Sequence, residues 1–324
     1  MLVSIILPTV RADSVGTAID AIIAQTVDEW ELIVVPQGDD DRLASVLAEY
    51  TERHAQVHAV HTPVRGLSHA RNVGTAAARG DILAFTDDDC EVAPDWVERL
   101  QQIFAEHPDV GVVGGEVVAP PNRQWWRVST CPAAHVIDAV YRPVEDGWQA
   151  PPGFYMIGAN ISVRRDVADR VGLWDVEFGA GRRYGACEDQ DFISRAEALG
   201  VSLLTSSALV VNHTTGRRHG LRQFVAHQRN YARGRGAWQA KLRMWGHPVM
   251  RIWDAEPHSA GIKTLFRRPD KWLLSRFEWH HIRLAAHEYH ERFVLGDDVL
   301  THPRPAPSHP AAVAERAAAD TVQP

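Results

Sequence analysis

Cysteine is scarce: Cys90, Cys131 and Cys187 are the only three in 324 residues. An odd count with no close pair excludes a disulfide framework and a cysteine-rich zinc site, and fits a reducing cytoplasm. Long apolar runs are missing as well. No stretch approaches the roughly 18 uninterrupted apolar residues of a membrane-spanning helix. Met1–Pro8 lacks the basic segment and extended apolar core of a signal peptide and reads as a first strand. There is no compositional bias and no internal repeat: 45% hydrophobic and 23% charged residues describe a soluble globular chain. Its length allows one large α/β domain or two smaller ones.

Charge is present but unevenly placed. Residues 1–216 carry 16 Lys/Arg against 31 Asp/Glu, a balance of −15, whereas residues 217–295 carry 16 against 6, a balance of +10. Five of the eleven tryptophans (Trp238, Trp245, Trp253, Trp272 and Trp279) also lie in the basic C-terminal third. Segregation of this kind suggests that the two parts meet different things.

The first 120 residues alternate between two periods. Leu2–Leu7, Leu32–Val35, Val57–Val60, Ile82–Phe85 and Val110–Val118 read as strands. Between them, apolar residues recur at helical spacing: Val15, Ala18, Ile19, Ile22 and Ile23 after an Asp13 or Ser14 cap, then Leu43 to Tyr50, Ser68 to Arg79, and Asp95 to Glu106. This order predicts a mainly parallel sheet with helices on both faces, and ligands in such sheets bind beyond the carboxyl ends of the strands. After Pro120-Pro121 the alternation stops, and residues 122–152, with Trp125, Trp126 and Trp148, carry no firm assignment. Strand character returns around Gly158-Ala159-Asn160, a short helix is expected over Asp166–Val171, and another from the Glu188 cluster to Leu199. Val201–Leu204 and Leu209–Val211 are strand-like and lead into His213. Leu221 to about Phe293 is helical and basic. The proline- and alanine-rich tail, 301–324, is expected to be disordered.

Four features carry chemistry. Thr86-Asp87-Asp88-Asp89-Cys90 sets three consecutive carboxylates directly after a strand. Adjacent carboxylates raise one another's pKa unless a cation or hydrogen-bond donors stabilise the charged form. A hard divalent ion is one resolution, and a solvated acidic loop is the other. Glu188-Asp189-Gln190-Asp191 follows the glycine-rich Phe178-Gly179-Ala180-Gly181 and opens a helix, where acids complement the dipole and one carboxylate can take a proton from a substrate hydroxyl. Gly66 to Gly74 is a loop entering a helix, with Arg71 placed to reach a phosphate or to lie on the surface. His213, in Asn212-His213-Thr214-Thr215-Gly216, is one of seventeen histidines and says little alone.

Taken in order, Ser4–Thr9, Gly66–Gly74, Gly80-Asp81 through Cys90, Gly158–Asn160, and Glu188–Asp191 running to Arg195 resemble the family-2 glycosyltransferases with the nucleotide-diphospho-sugar-binding GT-A fold. The resemblance covers about residues 1–215. It implies a Rossmann-like catalytic domain over 1–216, followed by a helical extension over 217–300. It implies a donor site made by Pro8, Thr9, Gln37, Asp39, Arg71, Asp87, Asp88 and Asn160. Asp89, with Asp87 and His213, would bind Mn²⁺ or Mg²⁺ through the family's Asp-x-Asp spacing. Asp189 would be the general base, with Glu188 and Asp191 binding acceptor or steadying the loop. The implied reaction moves a sugar from a nucleotide diphosphate to a hydroxyl on a glycan, a lipid-linked acceptor or a small molecule, inverting the anomeric centre. Relatives commonly have an acidic pair after the second strand; Val35-Pro36-Gln37-Gly38-Asp39 departs from this, and the expected donor is a UDP- or dTDP-sugar.

Two other classes compete. A nucleotidyltransferase would show a glycine-rich, basic loop after the first strand, and Pro8-Thr9-Val10-Arg11 is not one. A non-catalytic sugar-nucleotide binder has no need of both Asp89 and Asp189. The basic, aromatic set Arg229, Tyr231, Arg233, Arg235, Trp238 and Lys241 suits either a helical cap on the catalytic domain or second subunit, or a peripheral contact with an anionic membrane at its inner face. No nucleic-acid-binding module is recognisable.

Overall fold

The computed structural model describes residues 1–120, 128–129, 133–214, 218–250 and 269–304. Trp125, Trp126, Trp253 and the tail beyond Arg304 lie outside them. Strands β1 (Val3–Thr9), β2 (Trp30–Pro36), β3 (Val57–Ala59) and β4 (Ile82–Phe85) alternate with helices α1 (Val15–Ile23), α2 (Asp41–Arg53) and α3 (Leu67–Ala77). Next come β5 (Cys90–Val92), α4 (Trp96–Glu106), β6 (Val110–Val118), β7 (Val128–Ser129) and β8 (Ala139–Tyr141). A single 3-10 turn at Gly158–Asn160 leads into β9 (Ile161–Arg164), α5 (Arg165–Val171), α6 (Glu188–Ala198) and the long β10 (Ser202–His213). The chain closes with β11 (Arg218–His219), α7 (Leu221–Trp245), α8 (Pro269–Arg292), β12 (Phe293–Leu295) and β13 (Thr301–Pro303).

The central sheet has nine strands in the order β3-β2-β1-β4-β9-β6-β10-β5, with β8 also paired to β10. β3, β2, β1 and β4 are parallel, as the helical crossovers require, and so are β6 and β10. β9 is antiparallel to both β4 and β6, so the sheet is mixed. The reason is the route of the chain: β9 is reached through the irregular excursion after β6, not through a helical crossover. This reversal pairs Phe85 with Ile161, which sets the Gly158 turn beside the Asp run that follows β4. At the far edge, β10 runs antiparallel to β5 and pairs His213 with Cys90.

Strand alternation buries both faces. Ile5, Leu7, Leu32 and Val34 meet α1, α2 and α4, with Val15, Ile19 and Ile22 each contributing about 1.5–3 kcal/mol by burial. On the opposite face, Ile6, Ile33 and Val35 receive α3, while Phe85, Val112 and Val163 receive α5 and α6. Val201–Leu204 and Leu209–Val211 prove to be one strand with an irregularity between Ser206 and Val210.

Of the basic, aromatic set on α7, Trp238 and Lys241 are buried, whereas Arg229 is exposed. Ala237, Trp238 and Leu242 are buried with Tyr289 and Phe293 against Phe178, Tyr184 and Cys187 of the glycine-rich loop. No described helix is long and apolar enough to cross a membrane. The two long helices approach closely at Gly236, where a Cβ would collide with the backbone carbonyl of Ile282. Gly236→Ala is expected to cost about 1–3 kcal/mol through forced separation of α7 and α8, read as a lower denaturant midpoint. The tail expected to be disordered from residue 301 instead begins with β13, because Thr301 donates backbone N–H and hydroxyl bonds to buried Asp175.

Candidate active site

The Asp run leaves β4 at its carboxyl end, next to the end of β1. Thr9 Oγ1 donates to Asp88 Oδ2 at 2.7 Å, and the Val10 N–H points to the same oxygen. Arg11 spans the next two acids, with Nη1 2.7 Å from Asp89 Oδ2 and Nη2 3.4 Å from Asp88 Oδ1. Burial pushes the Asp88 carboxyl above its ordinary range, with its two acidic neighbours adding to the effect, while Arg11 and Thr9 pull the other way. Asp88 therefore ties the first loop to the run. Arg11 is a site residue that sequence reading passed over. It has no fixed spacing to the acids it neutralises, and only the β1–β4 pairing brings them together.

Asp87, Asp89, Cys90 and His213 present ligand atoms that all lie within 4.8 Å of one another. His213 is buried, and its Nδ1 has no hydrogen-bond partner among the described residues. An orphaned buried imidazole nitrogen is costly, and two carboxylates facing it form a donor set suited to a divalent cation with oxygen and nitrogen preference. The residues present fit Mn²⁺ or Mg²⁺. The β5–β10 pairing explains how His213, so distant in sequence, reaches the Asp run. Cys90 enters the cluster by the same register.

The second acidic cluster opens α6. Cys187, the residue before it, holds φ at 70°, an uncommon left-handed backbone for a non-glycine residue, and turns the glycine-rich loop sharply into the helix. Asp189 accepts from the Gly158 N–H at 2.9 Å and from the Gln190 N–H at 2.8 Å. Burial raises its pKa, and those backbone bonds and Arg71 oppose the shift. Glu188 is pushed up by burial and then by the charge of Asp189, again against Arg71.

Arg71 joins the two clusters. It is fully buried, with Nη1 3.3 Å from Glu188 Oε1, Nη2 3.5 Å from Asp87 Oδ1, and Nη2 donating to the Gly158 carbonyl at 3.0 Å. Its guanidinium lies 4.6 Å from the Trp174 ring, a cation–π contact worth about 2 kcal/mol when desolvated. A Cβ at Gly158 would come within 2.7 Å of that guanidinium, so a side chain there would have to displace it. Asp87, Arg71, Glu188, Asp189 and His213 all face one cavity of about 500 Å³. Tyr155 and, from α7, Tyr231, Arg235 and Trp238 complete its wall. Tyr155 carries no signal in the sequence, because a lone tyrosine belongs to no motif.

Other expected site residues are placed elsewhere. Asn160 is buried beneath the site with its amide spent: its Oδ1 accepts from Trp96 Nε1, and its Nδ2 donates to the carbonyls of Glu116 and Leu209. It braces the sheet and is not among the residues lining that cavity. Asp191 is buried with Oδ1 2.5 Å from Lys241 Nζ and Oδ2 3.1 Å from Arg195 Nε, which steadies the loop and leaves it no part in proton transfer. Lys241, itself fully buried, also holds Asp175 at 2.7 Å, so α7 is keyed into the start of α6. Gln37 Oε1 accepts a hydrogen bond from the Gly66 N–H at 2.8 Å. Asp39 is exposed at 94%, 3.5 Å from His61 and away from the cavity. Pro8 is a buried member of β1, paired with Val35.

A sequence model of the family described as glycosyl transferase family 2 matches residues 4–172. The chain belongs to that family. It is similar to the glucosyl-dolichyl phosphate glucuronosyltransferase of Haloferax volcanii, with 28% identity over 214 residues, 63% of this chain and 65% of that protein. It is also similar to an uncharacterized glycosyltransferase, EpsJ, of Bacillus subtilis, with 36% identity over 35% of this chain and 33% of that one. The alignments thus span less than two thirds of these relatives' own length. Among solved structures, the mannosyltransferase PcManGT from Pyrobaculum calidifontis, in complex with GDP-Man and Mn²⁺, aligns over 98% of this chain and 79% of its own at 19% identity and TM-score 0.54. TarS 1–349 of S. aureus, in complex with UDP, aligns over 96% and 98% at 15% identity and TM-score 0.51. At these identities the likeness establishes the GT-A fold of this family-2 chain.

Proposed function

We propose that the protein is a metal-dependent, inverting glycosyltransferase that moves a sugar from a nucleotide-diphosphate donor, a UDP- or dTDP-sugar, to an acceptor hydroxyl. The observation that carries the reading is the meeting of two separate acidic clusters at one cavity, one beside an orphaned histidine nitrogen and the other opening α6. Asp87, Asp89 and His213 would hold Mn²⁺ or Mg²⁺. When bound, the cation neutralises charge building on the departing diphosphate. Asp189 accepts the acceptor's proton as its oxygen attacks, and burial raises its proton affinity toward what that task needs. Arg71 holds Asp87 and Glu188 in place. A single displacement needs no protein nucleophile, so the anomeric centre inverts. The solved neighbours' complexes with GDP-Man and Mn²⁺, and with UDP, support a nucleotide-sugar donor.

The test is nucleotide binding with and without Mn²⁺. UDP and dTDP titrated into the wild-type protein are expected to bind about 10-fold or more tightly when Mn²⁺ is present. Asp89→Ala and His213→Ala should each abolish that difference while leaving the metal-free affinity within about 2-fold. A variant that kept the full Mn²⁺ effect would remove its residue from the metal set.

A further inference from the structure

A second cavity, of about 530 Å³, adjoins the reaction cavity and shares Tyr155, Gln190 and Trp238 with it. Its size is that of a small-molecule site. Aromatic rings form much of its wall, Tyr141, Trp148 and Phe154 joining the shared Tyr155 and Trp238. Trp148 is held at φ 66°, in a left-handed backbone that a bulky residue rarely adopts, with its N–H bonded to the Pro143 carbonyl at 2.7 Å and its ring edge-on to His247. Strain of this kind persists only where the surrounding structure enforces it.

One carboxylate, Glu197 of α6, lies among these rings. It makes no side-chain hydrogen bond or ion pair with the described residues, and burial alone raises its pKa to about 7. Glu197 is only partly buried, so its carboxylate opens onto the cavity and is free to accept a hydrogen bond from a ligand seated there. No Lys or Arg is among the cavity's described lining residues, which makes it a poor place for a diphosphate. An acyl chain would cover Glu197 without satisfying it. A pyranose ring meets both demands: its C–H faces stack on aromatic rings, and its hydroxyls donate.

We propose that this second cavity is the acceptor subsite, taking a saccharide ring that packs against Trp148 and donates a hydroxyl hydrogen bond to Glu197. The inference rests on the reading of Asp189 as the proton acceptor, because Gln190, next to Asp189, lines both cavities and its amide is anchored on the Met156 carbonyl at 3.0 Å. A ring seated here would present its next hydroxyl toward Asp189. The acceptor is thus the glycan end of a chain or conjugate, whatever the remainder carries.

The experiment uses the full-length protein and a panel of methyl hexopyranosides and methyl hexuronides, observed by saturation-transfer NMR with affinities from titration. At least one neutral hexopyranoside is expected to bind the wild-type protein in preference to the hexuronides, whose charge Glu197 repels. Glu197→Gln and Trp148→Ala should each weaken that binding about 10-fold or more, with the native fold retained by circular dichroism. Failure of every panel member to bind the wild-type protein, or binding that neither substitution alters, overturns the assignment. UDP titrations with Mn²⁺ on the same samples report on the donor reading alone, so the two can fail separately.

Discussion

Asp189→Asn is expected to lower the rate of sugar transfer by about 10²–10⁴-fold, the range that a positioned general base contributes, while nucleotide binding stays within about 2-fold. The substitution is nearly isosteric. Asn can still accept from the Gly158 N–H, and it loses only the second backbone bond, from Gln190, so the loop keeps most of its support. Steady-state turnover beside a nucleotide titration separates the two effects: a variant that retained full turnover would remove Asp189 from the base role. The wild-type pH profile carries a second signature. Because burial raises the Asp189 pKa, the acid limb of activity should lie above the ordinary carboxylate range, rising with pH as the base loses its proton. Stability should move the other way. Glu197, raised from 4.5 to about 7 by burial, contributes stability that is fully present below 4.5 and lost as pH rises through about 7. Glu188 and Asp189, shifted in the same direction, act with the same sign.

Replacing Arg71 should be the most damaging change to the fold of the site. Arg71→Met leaves Asp87 and Glu188 facing each other without their shared cation, and empties a guanidinium from beside Trp174. Breaking a buried ion pair by removing one partner costs about 3–5 kcal/mol, and a loss of that size is expected in chemical denaturation. Arg71→Lys should recover little, because a single ammonium cannot reach Glu188, Asp87 and the Gly158 carbonyl together. A Glu188→Gln change made in the Arg71→Met background should restore part of the loss, since the stranded charge is then gone; additive effects of the two substitutions would mean that the pair is not coupled.

Much of the architecture was legible in the chain. Apolar runs such as Val3–Leu7 and Ile82–Phe85, separated by amphipathic segments with helical spacing, dictate buried parallel strands joined by helices. That pattern is local and repeats, so it survives without tertiary information. The Asp run and the Glu188 cluster were visible for the same reason: like charges crowded together in sequence need an explanation wherever they fold. Residue types alone could not distinguish a charge with work to do from one already neutralised. Asp189 and Asp191 stand two apart on one helix, yet the first is half-buried at the cavity and the second is locked between Lys241 and Arg195. Asn160 belongs to a motif and still spends its amide on the sheet.

What the chain determined by itself is the α/β framework, the family, and the two places where acidic groups concentrate. The tertiary structure decided how those places become one site. The antiparallel insertion of β9 carries Gly158 to the end of β4, the β5–β10 register delivers His213 and Cys90 to the Asp run, and Arg71 bridges the two clusters from α3. These are long-range pairings set by strand order and backbone hydrogen bonding, and no spacing in sequence encodes them. The basic third shows the same division: its charge and tryptophans announced a separate role, but only packing revealed that Trp238 and Arg235 face inward to wall the cavity. A side chain's type sets what it can do, and its neighbours, chosen by the fold, set what is left for it to do.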